Sequence, residues 1–381
     1  MEDIKRVKLS EIVELITKGT TPTTLGYEFQ DEGVNFLKIE CFDENGGFIE
    51  SKVAHISEEC HKKMKRSQLK NGDILFSIAG AIGRVAIVTE EMLPANINQA
   101  LAIIRISDEQ VYLPYIKLIL TSPIVIEQFE RKKQGVAQLN LSLKDINEIS
   151  IPLPSKDKQI ELAELFDKVV GVISKRNKEL SALDDLIKAR FVELFECGDH
   201  EIVKASDVCD FITKGTTPPT GEITEEYENG KIPFLKVYNL SFTGEMLFDE
   251  NPQYILAETH NGKLARSKVY PNDVLMNIVG PPLGKFTLVT DEFEEWNINQ
   301  AIAIFRAKER ILPRFLLHAL MQPKVLEPFI GQAVGIRQQN LSLEQCRNLQ
   351  FPLPSLEEQK SFVEFAEQLD KSKVTVQKAF E

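Results

Sequence analysis

Hydroxyl and cationic side chains occur together at two places in this sequence, in a form suited to binding phosphate. The heptapeptide Ile-Thr-Lys-Gly-Thr-Thr-Pro occupies residues 16–22 and returns unchanged at 212–218. Threonine hydroxyls, lysines and free backbone N–H groups are common partners of phosphate oxygens. The alternative is a turn that also caps the next element, and the exact repetition favours a functional role. The candidate phosphate ligands are Lys18, Thr20, Thr21, Lys214, Thr216 and Thr217.

Further cations occupy matching positions in the two halves of the chain. An arginine precedes serine twice, a lysine follows Phe-Leu twice, and a basic residue ends each of two glycine turns, at 80–84 and 280–285. Arginine can hold phosphate or read guanine with two hydrogen bonds, although a solvated surface position is commoner for any single arginine. For the glycine turns we favour a plain hairpin over a nucleotide cradle, with a hairpin tip that touches DNA as the intermediate interpretation. The candidates are Lys38, Arg66, Arg84, Lys236, Arg266 and Lys285.

Amide side chains are concentrated in two loops, at 134–140 and 335–340. Asparagine and glutamine can pair with adenine in the major groove, and the two loops differ in sequence, as expected if two halves read different bases. The alternative is a polar loop that caps a helix, which we favour for Asn140 and Asn340. A structural role before a strand is likewise favoured for the repeated Asn-Gln at 98–99 and 299–300. The candidate base readers are Gln134, Gln138, Arg337, Gln338 and Gln339.

Patterns for catalysis or metal binding do not occur in the sequence. The five histidines form no metal-ligand spacing, and we interpret His61, beside Cys60, as an incidental surface residue. Neither a GxGxxG motif nor a Walker lysine loop is found. Asp73 and Asp273 match between the halves, which leaves an unrecognised hydrolase as an alternative, but residues that complete turns before strands are favoured. We therefore predict no catalytic site, no metal and no cofactor in this chain.

The elements that position these residues are written twice. Matching motifs recur in the same order at offsets that drift from 196 to 201, so the chain is one unit of about 200 residues followed by a second copy. Leu9, Ile12, Val13 and Ile16 have the spacing of one helix face, which predicts a helix before the heptapeptide. Apolar runs predict strands at 74–78, 85–88 and 97–106, and helical spacing fills 111–130 with an interruption at Pro123. Each copy is therefore predicted to be an α+β domain.

Residues 157–196 form a different kind of segment, with apolar residues on a heptad grid over about five heptads. A helix of about 38 residues would be about 57 Å long. Residues 355–381 show the same pattern over a shorter length, so the two segments are predicted to pair antiparallel. The predicted divisions are residues 1–154 and 198–354 for the two globular domains, 155–197 for the central helix and 355–381 for the C-terminal helix.

Composition limits the class of protein. Hydrophobic residues at 43% and charged residues at 27% are typical of a globular protein, and no apolar run is long enough to cross a membrane. Five cysteines without a CxxC pair favour free thiols and a cytoplasmic location. The net charge of −12 argues against nucleic acid as a partner unless the basic residues are gathered locally.

Taken in order, these motifs resemble the specificity subunit of Type I restriction–modification systems. Both copies open with Lys-Gly-Thr-Thr-Pro and close with Pro-Leu-Pro-Ser and a glutamine, at 152–159 and 352–359, before a long helix. Family members usually carry glutamate before that glutamine; the second copy has Glu358, whereas the first has Lys158. The resemblance covers the whole chain.

The resemblance implies two target-recognition domains, each reading one half of a split, asymmetric site in double-stranded DNA, with two long antiparallel helices that set the spacing. It further implies a subunit without a catalytic site that docks two methyltransferase subunits, which bring S-adenosylmethionine, and through them the restriction and translocase subunits. The C-terminal helix is short for the family. The competing hypothesis is a tandem-domain scaffold that binds proteins without reading DNA, which the acidic net charge favours.

Overall fold

The computed structural model describes residues 4–130, 140–228, 230–280, 282–330 and 340–378. The chain divides into two compact units, Met1–Ser174 and Lys175–Glu381. Both are mixtures of short helices and sheets, and the longest helix runs through the division between them. The predicted α+β class with two repeated domains joined by helices is confirmed.

The first unit is built from nine strands and five helices among its described residues. The strands are β1 (Arg6–Lys8), β2 (Val13–Lys18), β3 (Val34–Leu37), β4 (Ala54–Ile56), β5 (Ile74–Ser77), β6 (Val85–Ile87), β7 (Ala95–Ile97), β8 (Leu101–Ile106) and β9 (Ser150–Pro152). The helices are α1 (Glu58–Lys63), α2 (Leu113–Leu120), α3 (Pro123–Glu130), α4 (Leu143–Asn147) and α5 (Lys156–Phe191), of which α5 continues into the second unit.

Three sheets organise this unit. An antiparallel sheet has the order β2-β8-β5-β6, and a smaller one has the order β4-β3-β7, in which β3 and β7 are parallel. The first and last strands, β1 and β9, form a separate antiparallel pair. The apolar runs at 74–77 and 101–104 are buried on both faces, as expected for strands covered on both sides. The strand, hairpin and helix predictions for 74–88 and 111–130 are confirmed.

The helix predicted over residues 9–16 is wrong. These residues form a short 3-10 turn and then β2, which pairs with β8. The pairing register shifts between Val13 and Leu15, which marks a β-bulge. A bulge inserts one extra residue and interrupts the alternation of a strand, so that the apolar spacing imitates a helix.

The second unit repeats this plan. Its strands are β10 (Glu201–Lys204), β11 (Cys209–Lys214), β12 (Ile223–Thr224), β13 (Lys231–Leu235), β14 (Tyr254–Leu256), β15 (Lys268–Val269), β16 (Val274–Asn277), β17 (Phe286–Leu288), β18 (Trp296–Ile298), β19 (Ile302–Ala307) and β20 (Gln350–Leu353). Its further helices are α6 (Ala205–Val208), α7 (Ala257–Asn261), α8 (Pro313–Leu320), α9 (Pro323–Ile330), α10 (Leu343–Arg347) and α11 (Leu356–Lys378). The sheets are β11-β19-β16-β17, β12-β14-β13-β18-β15 and β10-β20.

The predicted antiparallel helix pair is present within the second unit. Phe191, near the end of α5, meets Phe362, near the start of α11, at 5.5 Å between ring centroids, and Lys373 pairs with Asp184 further along both helices. A π-helical turn, Val192–Glu196, follows α5 and adds Phe195 to the aromatic cluster. In the part of α5 that belongs to the first unit, Phe166 and Ile173 of the predicted seam are 48% and 42% exposed.

Two properties predicted from composition can be compared directly with the structure. All five cysteines are free thiols, and four of them are buried. Within the described ranges, no helix is both long and apolar enough to cross a bilayer.

Candidate nucleic-acid interface

Segments far apart in sequence meet at one edge of the first unit, which we call rim 1 (residues 18–21, 38, 78–84 and 97–100). The backbone N–H of Gly19 is 3.4 Å from the carbonyl oxygen of Leu101, that of Asn98 donates to Leu37, and that of Ile78 donates to Ala100. These bonds place the heptapeptide, the end of β3 and the β5–β6 turn around the connection from β7 to β8. The equivalent rim 2 consists of residues 214–217, 236, 278–280, 282–285 and 298–301, joined by the corresponding bonds.

A glycine is required in the heptapeptide because its Cα packs directly on another segment. A Cβ atom on Gly19 would lie 1.9 Å from the carbonyl oxygen of Ile97, and one on Gly215 would lie 2.2 Å from that of Asn299. Real Cβ atoms essentially never approach so closely. The repeated heptapeptide therefore packs against the repeated Ile-Asn-Gln-Ala at 97–100 and 298–301. This packing is a reason for the repetition of both motifs that is independent of any ligand.

The threonine hydroxyls are engaged with neighbouring residues of the rims. The Thr21 hydroxyl donates to the side-chain oxygen of Gln99, and the Thr217 hydroxyl accepts the backbone N–H of Gln300 at 3.4 Å. Both candidate interpretations, turn and ligand site, are compatible with this geometry, since each hydroxyl oxygen has further hydrogen-bonding capacity.

The second arginine reaches its rim through a hydrogen bond. Arg266 donates from Nη2 to the hydroxyl of Thr216 at 3.0 Å and remains exposed. Arg66 is also exposed, on the equivalent 3-10 turn of the first unit. At rim 2 an exposed arginine is therefore in direct contact with the loop that carries the candidate phosphate ligands.

A buried polar network holds each arginine turn in place. The serine after the arginine contacts a buried asparagine, at 3.0 Å for both Ser67 with Asn96 and Ser267 with Asn297. Each asparagine also meets a histidine, His61 at 2.5 Å and His260 at 3.0 Å. The interpretation of His61 as an incidental surface residue is therefore wrong. Burial lowers the pKa of His260, which favours the neutral ring in this network.

The paired lysines lie at or directly after the ends of strands, and Lys38 and Lys236 follow strands that have a parallel neighbour. Lys38 follows β3, with its ammonium group 4.9 Å from the Phe29 ring centre and 3.8 Å from Glu40. Lys236 follows β13 in the same way and is half-buried. Lys18 and Lys214, the last residues of β2 and β11, are exposed.

The glycine turns are plain hairpins in which the basic residue is held by the segment after β3 or β13. Arg84 donates from Nη1 to the carbonyl oxygen of Phe42 at 3.0 Å. Lys285 lies 5.6 Å from the ring centre of Phe242, which is itself 50% exposed. The hairpin prediction is confirmed, and both cations stay at their rims.

The predicted base readers Gln134, Gln138, Arg337, Gln338 and Gln339 lie outside the described residues. The chain that follows them is anchored at the rims, because Leu141 donates to Ile78 and Leu341 donates to Ile278, each at 2.9 Å. The residues that cap the two following helices are Ser142 and Ser342, whose hydroxyls accept the backbone N–H three residues further on. The cap predicted at Asn140 and Asn340 is therefore two residues too early.

The sequence analysis did not propose Gln99, Gln300 or Phe242 as DNA-contact candidates. Asn98 and Asn299 do have the predicted structural role, since each side-chain oxygen accepts the backbone N–H two residues on. Gln99 and Gln300, however, are exposed, and the side-chain oxygen of Gln99 accepts from the Thr21 hydroxyl. Their exposure could have been inferred from their place in a tight turn between two buried strands. The exposed Phe242 offered no such signal.

The repeated aspartates are structural, as favoured. Asp73 is buried, forms two hydrogen bonds of 2.7 Å to Arg105 and accepts the backbone N–H of Lys70. Asp273 forms the equivalent pair with Arg306. A carboxylate held in a bidentate pair with arginine is a poor general base, which argues against the hydrolase alternative.

Comparisons with known proteins assign the family. The family model described as the Type I restriction modification DNA specificity domain matches residues 1–182 and again 198–379. The EcoBI specificity subunit of Escherichia coli is 31% identical over 171 residues, which is 43% of this chain and 35% of that subunit. The MjaVIII specificity subunit of Methanocaldococcus jannaschii is 26% identical over 400 residues, which is 97% of this chain and 86% of the relative.

Solved structures show the same fold. A chain from a type I R-M system, solved to explain its complex assembly and conformational transition, has a TM-score of 0.57 at 19% identity, covering 98% of this chain and 92% of its own. The type I S subunit from M. genitalium has a TM-score of 0.51 at 15% identity, covering 100% and 93%. With two family-model matches that together span nearly the whole sequence, the chain belongs to the Type I restriction–modification DNA specificity family and is a non-catalytic specificity subunit.

Proposed function

We propose that each unit reads one half of a split, asymmetric DNA site, with rim 1 and rim 2 facing the duplex. The observation that supports this most is that most of the predicted phosphate ligands among the described residues lie at or against a single rim in each unit. Hydroxyls, amides and cations there come from four separate segments. Phosphate contacts from such groups fix the register of a protein on DNA, and amide or arginine side chains then distinguish bases.

Local charge at the rims answers the objection from the net charge of −12. Lys18 and Lys214 are exposed at the rims, Arg266 is exposed in contact with Thr216 of rim 2, and Arg66 is exposed on the equivalent turn of the first unit. Some acidic residues are paired with cations that are not in the rims, as Glu222 is with Lys263 at 2.6 Å. Affinity for DNA comes largely from neutralised phosphates. We therefore expect weak binding by the isolated chain and strong binding when partners add further contacts.

The helices α5 and α11 are proposed to set the spacing of the half-sites and to dock two methyltransferase subunits. A 36-residue helix is about 54 Å long, which exceeds the ~34–36 Å between half-sites one DNA turn apart. The S-adenosylmethionine cofactor is then bound by the methyltransferase subunits, which also link this chain to restriction and translocase subunits. The free cysteines suit a cytoplasmic location.

The test is an exchange of residues 199–351 for the matching segment of another family member. Because the two units have separate cores, we expect only one half of the methylated site to change when the exchanged complex is analysed by methylome sequencing. The reciprocal exchange of residues 5–153 is the matched control and should change the other half. If either exchange altered both halves, the assignment of one half-site to each unit would be wrong.

The competing scaffold hypothesis makes a different prediction for the same complex. A protein-binding scaffold would assemble with its partners equally well after the rim cations are removed and would show no sequence dependence. A gel shift with the assembled complex, comparing R266A with R310A, separates the two. Arg310 is exposed and pairs with Glu201 away from rim 2, so only R266A should weaken DNA binding.

A further inference from the structure

A cavity of about 440 Å³ lies in the second unit between α9 and β20. Its apolar wall is formed by Phe195 of the π-helical turn together with Val325, Phe329 and Phe351. An ion pair of 2.6 Å between Lys324 and Glu196 stands at its edge. This volume is within the range of sites that bind small ligands or side chains.

Gln322 is one of the residues that line this cavity. The side chain of Gln322 is 2% exposed, and its Nε2 donates to the carbonyl oxygen of His318 at 2.9 Å. Its Oε1 is buried without a hydrogen bond among the described residues. At the matching position of the first unit, Ser122 is satisfied by a bond of 2.6 Å to Ile119.

The edge of β20 also presents unused hydrogen-bonding groups to the cavity. Gln350 stands opposite Lys204, and the next ladder bond runs from Ala205 to Leu349 at 2.8 Å. In an antiparallel pair the bonding residues alternate, so the N–H and C=O of Gln350 point away from β10. No group in the described parts of the chain is hydrogen-bonded to them. Among the described residues this sheet has two strands, and none of those residues pairs with β20 on this side.

The first unit fills the same place with its own side chains. Gln128 of α3 accepts the backbone N–H of Ser150 and donates to its C=O, both at 2.9 Å. Arg6 adds a bond of 3.1 Å to the same C=O. In the second unit the residues at these positions are Pro328, Gln350 and Ile202. Proline cannot supply the amide, and Ile202 is 61% exposed at the cavity.

We propose that this cavity binds an extended peptide segment of a partner protein. One peptide residue pairs its N–H and C=O with those of Gln350, as the Gln128 carboxamide does in the first unit. Its apolar side chain enters the space between α9 and β20, beside Gln322. Addition of a strand to an open sheet edge is a common mode of peptide recognition, with side-chain pockets giving selectivity. This site is independent of the rims, so its failure would leave the proposed DNA function intact.

The experiment uses the full chain labelled with ²H and ¹⁵N and the probe N-acetyl-L-leucine methylamide, which offers one residue's N–H, C=O and apolar side chain. We expect saturable shifts of the Gln350 backbone amide and the Gln322 side-chain amide in TROSY spectra. No saturable shift at these two groups, or equal shifts spread over the surface, would overturn the proposal.

Two variants test the geometry, with a matched control. Pro328→Gln supplies the amide found in the first unit and should reduce probe affinity at least about tenfold, whereas Glu327→Gln adds the same amide one position earlier and should leave affinity unchanged. Gln350→Pro removes the outward N–H that the probe would bond and should also weaken binding. The variant should still fold, because this N–H makes no hydrogen bond to β10 and edge positions of this kind accept proline. Unchanged binding by both folded variants would refute the site.

Discussion

His318 makes the stability of the second unit depend on pH. It lies in α8 with its ring against the edge of Phe362, at 5.4 Å between ring centroids, and is buried. Burial lowers its pKa to about 4, with Arg314 and Lys373 acting in the same direction and Asp370 opposing them. The folded state therefore holds a neutral ring at pH values where the unfolded chain binds a proton.

The size of the effect follows from the two pKa values. Because the folded pKa is below the unfolded value of 6.5, the contribution is complete above pH 6.5 and is lost as the pH falls towards 4. Each pH unit in this window costs ~1.36 kcal/mol, so a fall from about pH 7 to about pH 5 should remove about 2 kcal/mol from the free energy of unfolding. The variant His318→Gln has no such titration and should lose about 2 kcal/mol less over the same interval.

The assay can follow the second unit alone. Trp296 is the one tryptophan of the chain and is buried in this unit, so its fluorescence reports the unfolding of that unit in denaturant. His260, whose pKa is also lowered by burial, is present in both proteins and cancels in the difference. If the wild type and His318→Gln lost equal free energy between the two pH values, the argument from burial would be refuted.

Three further perturbations have defined outcomes. Gly215→Ala places a Cβ 2.2 Å from the carbonyl oxygen of Asn299, so we expect a lower Tm of the second unit and weaker DNA binding by the assembled complex; an unchanged gel shift and melting curve would contradict this. Gln128→Ala leaves the N–H of Ser150 without its partner and leaves its C=O bonded to Arg6 alone, so it should cost about 1–3 kcal/mol in denaturant unfolding of the first unit, and a cost near zero would show that water replaces the amide. One heptad inserted within 174–186 lengthens the helix by about 10 Å, or about three base pairs, and should lengthen the methylated site with weaker binding; methylation at the original spacing and normal rate would exclude a spacing role for the helix.

The elements whose apolar spacing is undisturbed could be predicted from the sequence. The buried strand at 74–77 and the long helix at 156–191 are both set by local pattern, and both are present. The β2 strand could not be predicted, because its bulge between Val13 and Leu15 breaks the two-residue period on which strand prediction depends.

For the candidate site, the sequence indicates which motifs recur but not how they pack together. Repetition identified the heptapeptide, but the packing of Gly19 on Ile97 joins segments that are about 80 residues apart and has no local signature. His61 was misjudged for the same reason, since its partner Asn96 is 35 positions away. Long-range contacts of this kind depend on the strand order, which a single sequence does not specify.

The pairing of β1 with β9 and of β10 with β20 has a consequence for synthesis on the ribosome. The opening strand of each unit finds its partner only at the unit's last strand, with Arg6 opposite Pro152 and Ile202 opposite Pro352. Neither unit can complete its hydrogen bonds until nearly all of it has been translated, and such distant pairings are slow to form. Every described strand of the first unit nevertheless lies before the second unit begins, so the two copies can fold one after the other without competing for each other's matching segments.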